Sequence, residues 1–162
     1  MIKHLNRTEK ITLFLLRVSL GWFMFYAGIT KVLDPTWSAA GFLNNAETFS
    51  VMYQWLATPG ILPLVNLLNS WGLTLVGLSL IFGLGVRVAG VAGAVLMVLY
   101  YFPSLSFPYP SEHTLIVDDH IIYAIALVAL AVLKAGRVWG VAGWLQAQSI
   151  VARHSHWLKK ID

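Results

Sequence analysis

The chain contains no cysteine in its 162 residues. That excludes disulfides, thiolate metal sites, iron–sulfur clusters and covalently attached c-type haem. Charge is scarce too: Asp, Glu, Lys and Arg together make up 11% of the residues, against about 25% in an ordinary soluble domain. None of the five histidines, His4, His113, His120, His154 and His156, falls mid-membrane, so no facing pair is placed to ligate a transmembrane haem. No metal is expected, and any redox chemistry needs another carrier. Basic and aromatic residues are not interleaved as a nucleic-acid surface requires, which argues against that class of partner. No persuasive internal repeat of the kind on which many transporters are built is present either.

What the chain has is apolar surface. Apolar residues make up 58% of it and the mean hydropathy is +0.72, more than the core of a soluble domain needs, so the sequence reads as an integral membrane protein. Four apolar runs can span a bilayer core of about 30 Å, at about 11–33, 62–86, 87–102 and 118–135. They leave no length for a sizeable soluble domain, so residues 1–162 are read as one membrane domain. The tight link Gly83, Leu84, Gly85 predicts a helical hairpin between the second and third runs. The fold class that follows is all-α: an integral membrane four-helix bundle with an outer amphipathic segment at 35–58 and a C-terminal interfacial helix in a tail at 137–160. The opening MIKHLNRTEK resembles the charged part of a signal peptide. The apolar run after it is too long and lacks a small-residue cleavage site, so it is expected to stay as an anchor.

Basic residues set the expected orientation. With four crossings, Lys3, Arg7, Lys10, Arg87, Lys134, Arg137, Arg153, Lys159 and Lys160 all fall on one side, whereas the opposite loops carry Asp34, Glu47, Glu112, Asp118 and Asp119. The basic side is expected to be cytoplasmic, with both termini inside and the protein multi-pass in the plasma membrane. Asp34, Pro35 and Thr36 read as an N-cap with proline at the first helical position, opening the outer segment with Trp37, Phe42, Phe49, Tyr53 and Trp55. A lid and a membrane anchor are both open for it. In the tail, Trp139, Trp144, Leu145, Ile150, Val151 and Trp157 among basic residues suit a helix lying on an anionic leaflet.

Two cations stand inside the first run. Arg17 and Lys31 lie roughly 21 Å apart along a helix and return almost to one face, with Gly21, Met24 and Gly28 between them. Small residues let a neighbouring helix approach, so this face is predicted to point inward, where charged groups mark ion, substrate or proton pathways. Snorkelling of each cation to its own interface is the alternative. At the start of the fourth run, DDHIIYA, either Asp118 or Asp119 can cap the helix. His120 and Tyr123 share a face, and a neighbouring carboxylate can orient His120 as a proton relay. Lys31 and His120 are predicted at the same outer level, where an anion or a quinone carbonyl meets both. Arg17 and Arg87 are candidates for an inner cluster, and Asn66, Asn69, Ser70 and Thr74 either pair between helices or line a head-group pocket.

The segments RVSLGWFMFYAGITKVLDP (17–35), WGLTLVGLSLIFGLGVRVAG (71–90) and LIVDDHIIYAIAL (115–127) together resemble the DoxX/DoxD family. The likeness is strongest to the DoxD branch, the membrane subunit of thiosulfate:quinone oxidoreductase. It covers most of residues 12–137 in the same order and the same four-helix layout. In this resemblance Arg17, Gly21, Gly28 and Lys31 match the first helix, and Asp119 and His120 match the acid and histidine that open the fourth. It implies oxidation of thiosulfate to tetrathionate, with a quinone as acceptor and a second small subunit on the outer face. On this reading Lys31, His120 and Asp119 are the catalytic candidates, and Arg17, Gly28, Arg87, Tyr123 and Asn66 the substrate- or quinone-binding ones. A homo-oligomer is also expected as an option. Two functions compete with the enzyme subunit: a DoxX-type scaffold that recruits a soluble redox partner, and a small anion transporter.

Overall fold

The computed structural model describes residues 5–147. Tail positions 148–162, including Ile150, Val151 and Trp157, lie outside the described residues, as does the segment 1–4. The described residues are helical, with isolated bridges at Ser106 with Tyr109 and Ser111 with Thr114. In chain order the helices are α1 (Arg7–Leu33), α2 (Ala40–Asn44), α3 (Ser50–Leu56), α4 (Leu62–Phe82), α5 (Val86–Ser104), α6 (Asp119–Val132) and α7 (Val141–Ala147), with a 3₁₀ turn at Ala135–Arg137.

Helix α1 begins four residues before the apolar run, because Asn6 and Glu9 form a capping box: the Glu9 N–H donates to Asn6 Oδ1 at 2.9 Å and the Asn6 N–H to Glu9 Oε2 at 2.8 Å. It ends at Leu33. Pro35 disfavours helical backbone at Asp34, which is extended at φ −99°, ψ 102°. This corrects the reading of Asp34 as an N-cap. Thr36 donates to its carboxylate through both N–H (2.9 Å) and hydroxyl (2.7 Å), and the next helix starts only at Ala40. The amphipathic segment is therefore two short helices joined by turns.

The hairpin forms where the glycines predict it, with tighter bounds: α4 stops at Phe82, not 86, and α5 starts at Val86 and runs to Ser104. Gly83 (φ +69°) and Gly85 (φ +66°) take the left-handed backbone that closes one helix and opens the next. The fourth run is shorter than predicted. Helix α6 has 14 residues, and the chain then turns through Ala135–Arg137.

Helices α1, α4 and α5 are each long and apolar enough to cross a membrane. α1 packs along α4, α4 against α5, and α5 along α6. Small residues set these approaches: a Cβ on Gly28 would strike the Thr74 backbone nitrogen, one on Gly77 the Phe25 backbone, and one on Gly90 would lie 2.7 Å from the Leu127 carbonyl oxygen. Met24, Leu80, Leu127 and Leu130 fill the centre at 0% exposure. Trp22, Leu75, Val91, Val95, Ile122 and Ile125 face outward and exposed, an apolar shell that water does not favour and lipid does. A second, smaller core of Ala39, Leu43, Ala46 and Tyr53 seats α2 and α3 over the ends of α4 and α5. The Tyr53 hydroxyl donates to the Leu99 carbonyl at 2.9 Å, and burial pushes that phenol's pKa up.

Candidate functional site

Under the α2–α3 segment, between α1, α4, α5 and α6, lies a cavity of about 370 Å³. Lys31, Asp119, His120 and Tyr123 all line it. Its walls are apolar, with Phe23, Met24, Ala27, Leu73 and Met97, and its polar groups gather at one end.

Lys31 leaves the last turn of α1 half-buried and donates from Nζ to Asn69 Oδ1 at 3.1 Å. The ammonium also lies 5.0 Å from the Trp37 ring centre and 5.6 Å from that of Tyr100, a cation–π arrangement that satisfies the charge without a carboxylate. Trp37 arrives there because the Asp34 turn folds the chain back over the helix end: the Trp37 N–H donates to the Asp34 carbonyl at 3.2 Å. Two residues on, the Ala39 N–H donates to Asn66 Oδ1 at 2.9 Å and fixes the segment to α4. The two hydrogen bonds from Thr36 hold the Asp34 carboxyl below its ordinary pKa.

His120 also meets the Tyr100 ring, edge-on, with ring centres 6.1 Å apart. Its Nδ1–H donates to Asp118 Oδ2 at 2.7 Å, while Asp119 Oδ1 is 3.5 Å away. The orienting carboxylate is thus Asp118, which the sequence left level with Asp119 as a cap. Asp118 is buried, its other oxygen accepting from the Ile121 N–H at 3.2 Å to cap α6. The Asp119 side chain is 64% exposed at the cavity mouth. With Nδ1–H committed to a carboxylate, Nε2 is the nitrogen left to exchange a proton. Ligand atoms of Asp118, Asp119 and His120 lie within 4.8 Å of one another, close enough to share a cation, yet Asp118 and His120 already have hydrogen-bonding tasks without one.

Tyr100 completes the polar end. Its hydroxyl is buried beside the Asn69 side chain, whose oxygen accepts from Lys31 Nζ and keeps a second lone pair to offer. Tyr100 also lines the cavity. Neither Tyr100 nor Trp37 was singled out as a site residue by sequence pattern; both reach the cavity through tertiary packing. Tyr123, singled out, packs at a tilt against Phe23 in the wall, ring centres 5.0 Å apart.

The other candidates lie elsewhere. Asn66 sits at the rim, bonded to Ala39 and Ser38. Gly28 is a helix-crossing point. Arg17 lies in the other half of α1, 0% exposed, and donates to the carbonyls of Ala135 (2.7 Å), Val138 (3.1 Å) and Trp139 (3.5 Å). Arg87 is exposed and does not join it; in the first turn of α5 its side chain leans back toward the helix start and into solvent.

Residues 12–103 match the DoxX family, a stretch that includes α1 to α5 almost entirely. The chain belongs to the DoxX family. Family and apolar helices together make it a membrane protein of the DoxX type. No curated protein and no solved structure matches it. The matched stretch contributes Lys31, Trp37, Asn69 and Tyr100 to the cavity; Asp119, His120 and Tyr123 come from beyond it.

Proposed function

We propose that this DoxX protein is the membrane subunit of a quinone-linked oxidoreductase and that the cavity under α2 and α3 receives the quinone ring. One observation carries the reading: a largely apolar cavity between membrane helices holds, around a single tyrosine ring, a fixed cation and a carboxylate-held imidazole. Apolar walls with a few convergent polar groups suit a small amphipathic ring. Lys31 and Tyr100 donate to one ring oxygen and stabilise the negative charge that reduction places there. His120 passes protons between the ring and water through Nε2, with Asp118 fixing its orientation.

The likeness to the DoxD branch supplies the electron donor. Two thiosulfates join through a new S–S bond to give tetrathionate and release two electrons; the quinone takes those electrons and two protons to become the quinol. A second small subunit at the α2–α3 end belongs to this reading, and a homo-oligomer is compatible with it. The cavity then faces outward and both termini lie in the cytoplasm, α6 and the turn after it making a fourth crossing of the plasma membrane. The nine basic residues on the opposite side support that orientation. A transport route has less support, because Met24, Leu80, Leu127 and Leu130 close the bundle below the cavity.

Binding of a short-chain quinone analogue to the purified protein tests the proposal. The analogue is expected to raise the melting temperature of the wild type and to have a much smaller effect on Lys31→Met. Equal shifts in both, or none in either, would overturn the assignment of the cavity and leave the scaffold reading.

A further inference from the structure

At the opposite end of the bundle, a second hollow of about 460 Å³ lies beside Arg137, between Trp139 and Trp144. We propose that this hollow seats the phosphodiester head group of an anionic membrane lipid. The inference is independent of the redox reading and rests on four observations.

The first is an unmet cation. Arg137 makes no side-chain hydrogen bond or ion pair among the described residues, and its Nε is buried without a partner. A guanidinium offers five donors in a planar fork that matches two phosphate oxygens.

The second is a further charge behind the floor. The Arg17 guanidinium reaches this turn from α1 and bonds carbonyls only; the ion pairs among the described residues are those of His120 at the other end. Arg17 Nη1 would lie 2.8 Å from a Cβ on Gly140, a residue lining the hollow. Two positive charges therefore act on one space, and no carboxylate pairs with either among the described residues.

The third is construction. Gly140 and Gly143 leave no room for a side chain: a Cβ on Gly143 would lie 2.6 Å from the Arg137 carbonyl oxygen, and one on Gly140 would strike that of Gly136. The Ala142 N–H ties the turn to the Gly83 carbonyl at 3.2 Å. The hollow is thus shaped by backbone packed on the end of the α4–α5 hairpin.

The fourth is depth, which selects a lipid over a soluble phosphate. The 21 residues of α4 span about 31 Å, the thickness of the hydrocarbon core, and Gly83 at its end abuts Arg17. Arg17 and the turn it holds therefore lie at the membrane boundary, where lipid phosphates lie. Trp139 packs edge-on to Phe14 of α1 at 5.6 Å, and both tryptophans are exposed, as interfacial indoles are.

The test is native mass spectrometry of delipidated protein titrated with phosphatidylglycerol, phosphatidylcholine or inorganic phosphate. Phosphatidylglycerol is expected to remain bound, phosphatidylcholine and phosphate much less. Arg137→Gln is expected to weaken phosphatidylglycerol binding roughly tenfold, the loss of a charge-assisted contact. Arg87→Gln, which removes an exposed charge at the same end, is expected to leave it unchanged. Arg137→Lys keeps the charge but not the fork, should bind between the wild type and Arg137→Gln, and decides the matter if the glutamine variant fails to fold. The proposal is overturned by equal retention of phosphatidylcholine, by phosphate binding as tightly as the lipid, by wild-type binding in the Arg137 variants, or by an equal loss in Arg87→Gln.

Discussion

Arg17 and Lys31 leave the same face of the same helix, fourteen positions apart, and meet opposite surroundings. Arg17 is enclosed: its two terminal nitrogens satisfy carbonyls left open where the chain turns after α6, its buried Nε has no partner among the described residues, and the Phe14 ring lies 5.4 Å from its carbon centre. Lys31 is half-buried, makes one hydrogen bond to a side-chain amide, and otherwise faces two rings and a cavity. Guanidinium geometry suits the first task because several fixed carbonyls must be bonded at once, whereas a single ammonium on a flexible stem suits the second, where one ligand oxygen is to be met. A cation within a membrane helix is therefore not a single signal. Whether its donors are spent on backbone or left toward a space separates a structural clamp from a binding group.

The largest effect is expected from breaking the clamp. Arg17→Met leaves buried carbonyls without donors and frees the turn from α1, a loss of about 3 kcal/mol or more. Fluorescence-detected size exclusion and thermal melts in detergent should show little folded protein. Lys31→Met should behave in the opposite way, with stability within about 1 kcal/mol of the wild type but quinone-linked turnover reduced roughly 100-fold. His120→Asn should also keep the fold and reduce turnover by about 100-fold or more, with a changed pH profile that Lys31→Met does not show. Quinone absorbance in membranes containing the proposed second subunit, normalised to protein amount, reads both. If Arg17→Met folds normally while Lys31→Met does not, the two roles are reversed.

Gly28 lies on the same face between the two cations and sharpens the contrast. A methyl group there meets the Thr74 nitrogen and hydroxyl, so Gly28→Ala must push α1 from α4 and is expected to cost about 1–3 kcal/mol. A melting temperature equal to that of the wild type would mean that the helices are not held this closely. Loss of quinone binding without loss of stability would return Gly28 to the binding site.

The face of α1 was legible because helical period and small residues act locally: Arg17, Gly21, Met24 and Gly28 are all buried. The same holds for the glycine hairpin and for His120 with Tyr123. Trp37, Tyr100 and the part played by Asn69 were not legible, since an aromatic at helical spacing reads as core until another element brings a cation over its face. Asp118 and Asp119 are equivalent in sequence; only the cap geometry of α6 aims one at the imidazole. Arg87 shares a stripe with Gly90 and Ala94, but a first-turn residue is free to lean out of the bundle. Asn66 and Asn69, one helical turn apart, divide between rim and cavity according to where the Asp34 turn lays the chain.

That turn gives the smallest expected effect and the finest test of the contrast. Asp34 is exposed, and its carboxylate holds Thr36 through the side-chain hydroxyl first and the backbone N–H second. Because these bonds favour the charged form, the folded pKa lies below the ordinary carboxylate value. The contribution is complete above that value and is lost as pH falls through the lowered one. The turn carries Trp37 to Lys31, so Asp34→Ala should loosen one wall of the lysine site while leaving the Arg17 clamp intact. The expected outcome is a several-fold weaker response to the quinone analogue with a nearly unchanged melting temperature at neutral pH. In the wild type, acidification below the carboxylate range should weaken the response further than in Asp34→Ala. A variant with full quinone response and the wild-type acid profile would show that Lys31 holds its place through Asn69 and Tyr100 without Trp37.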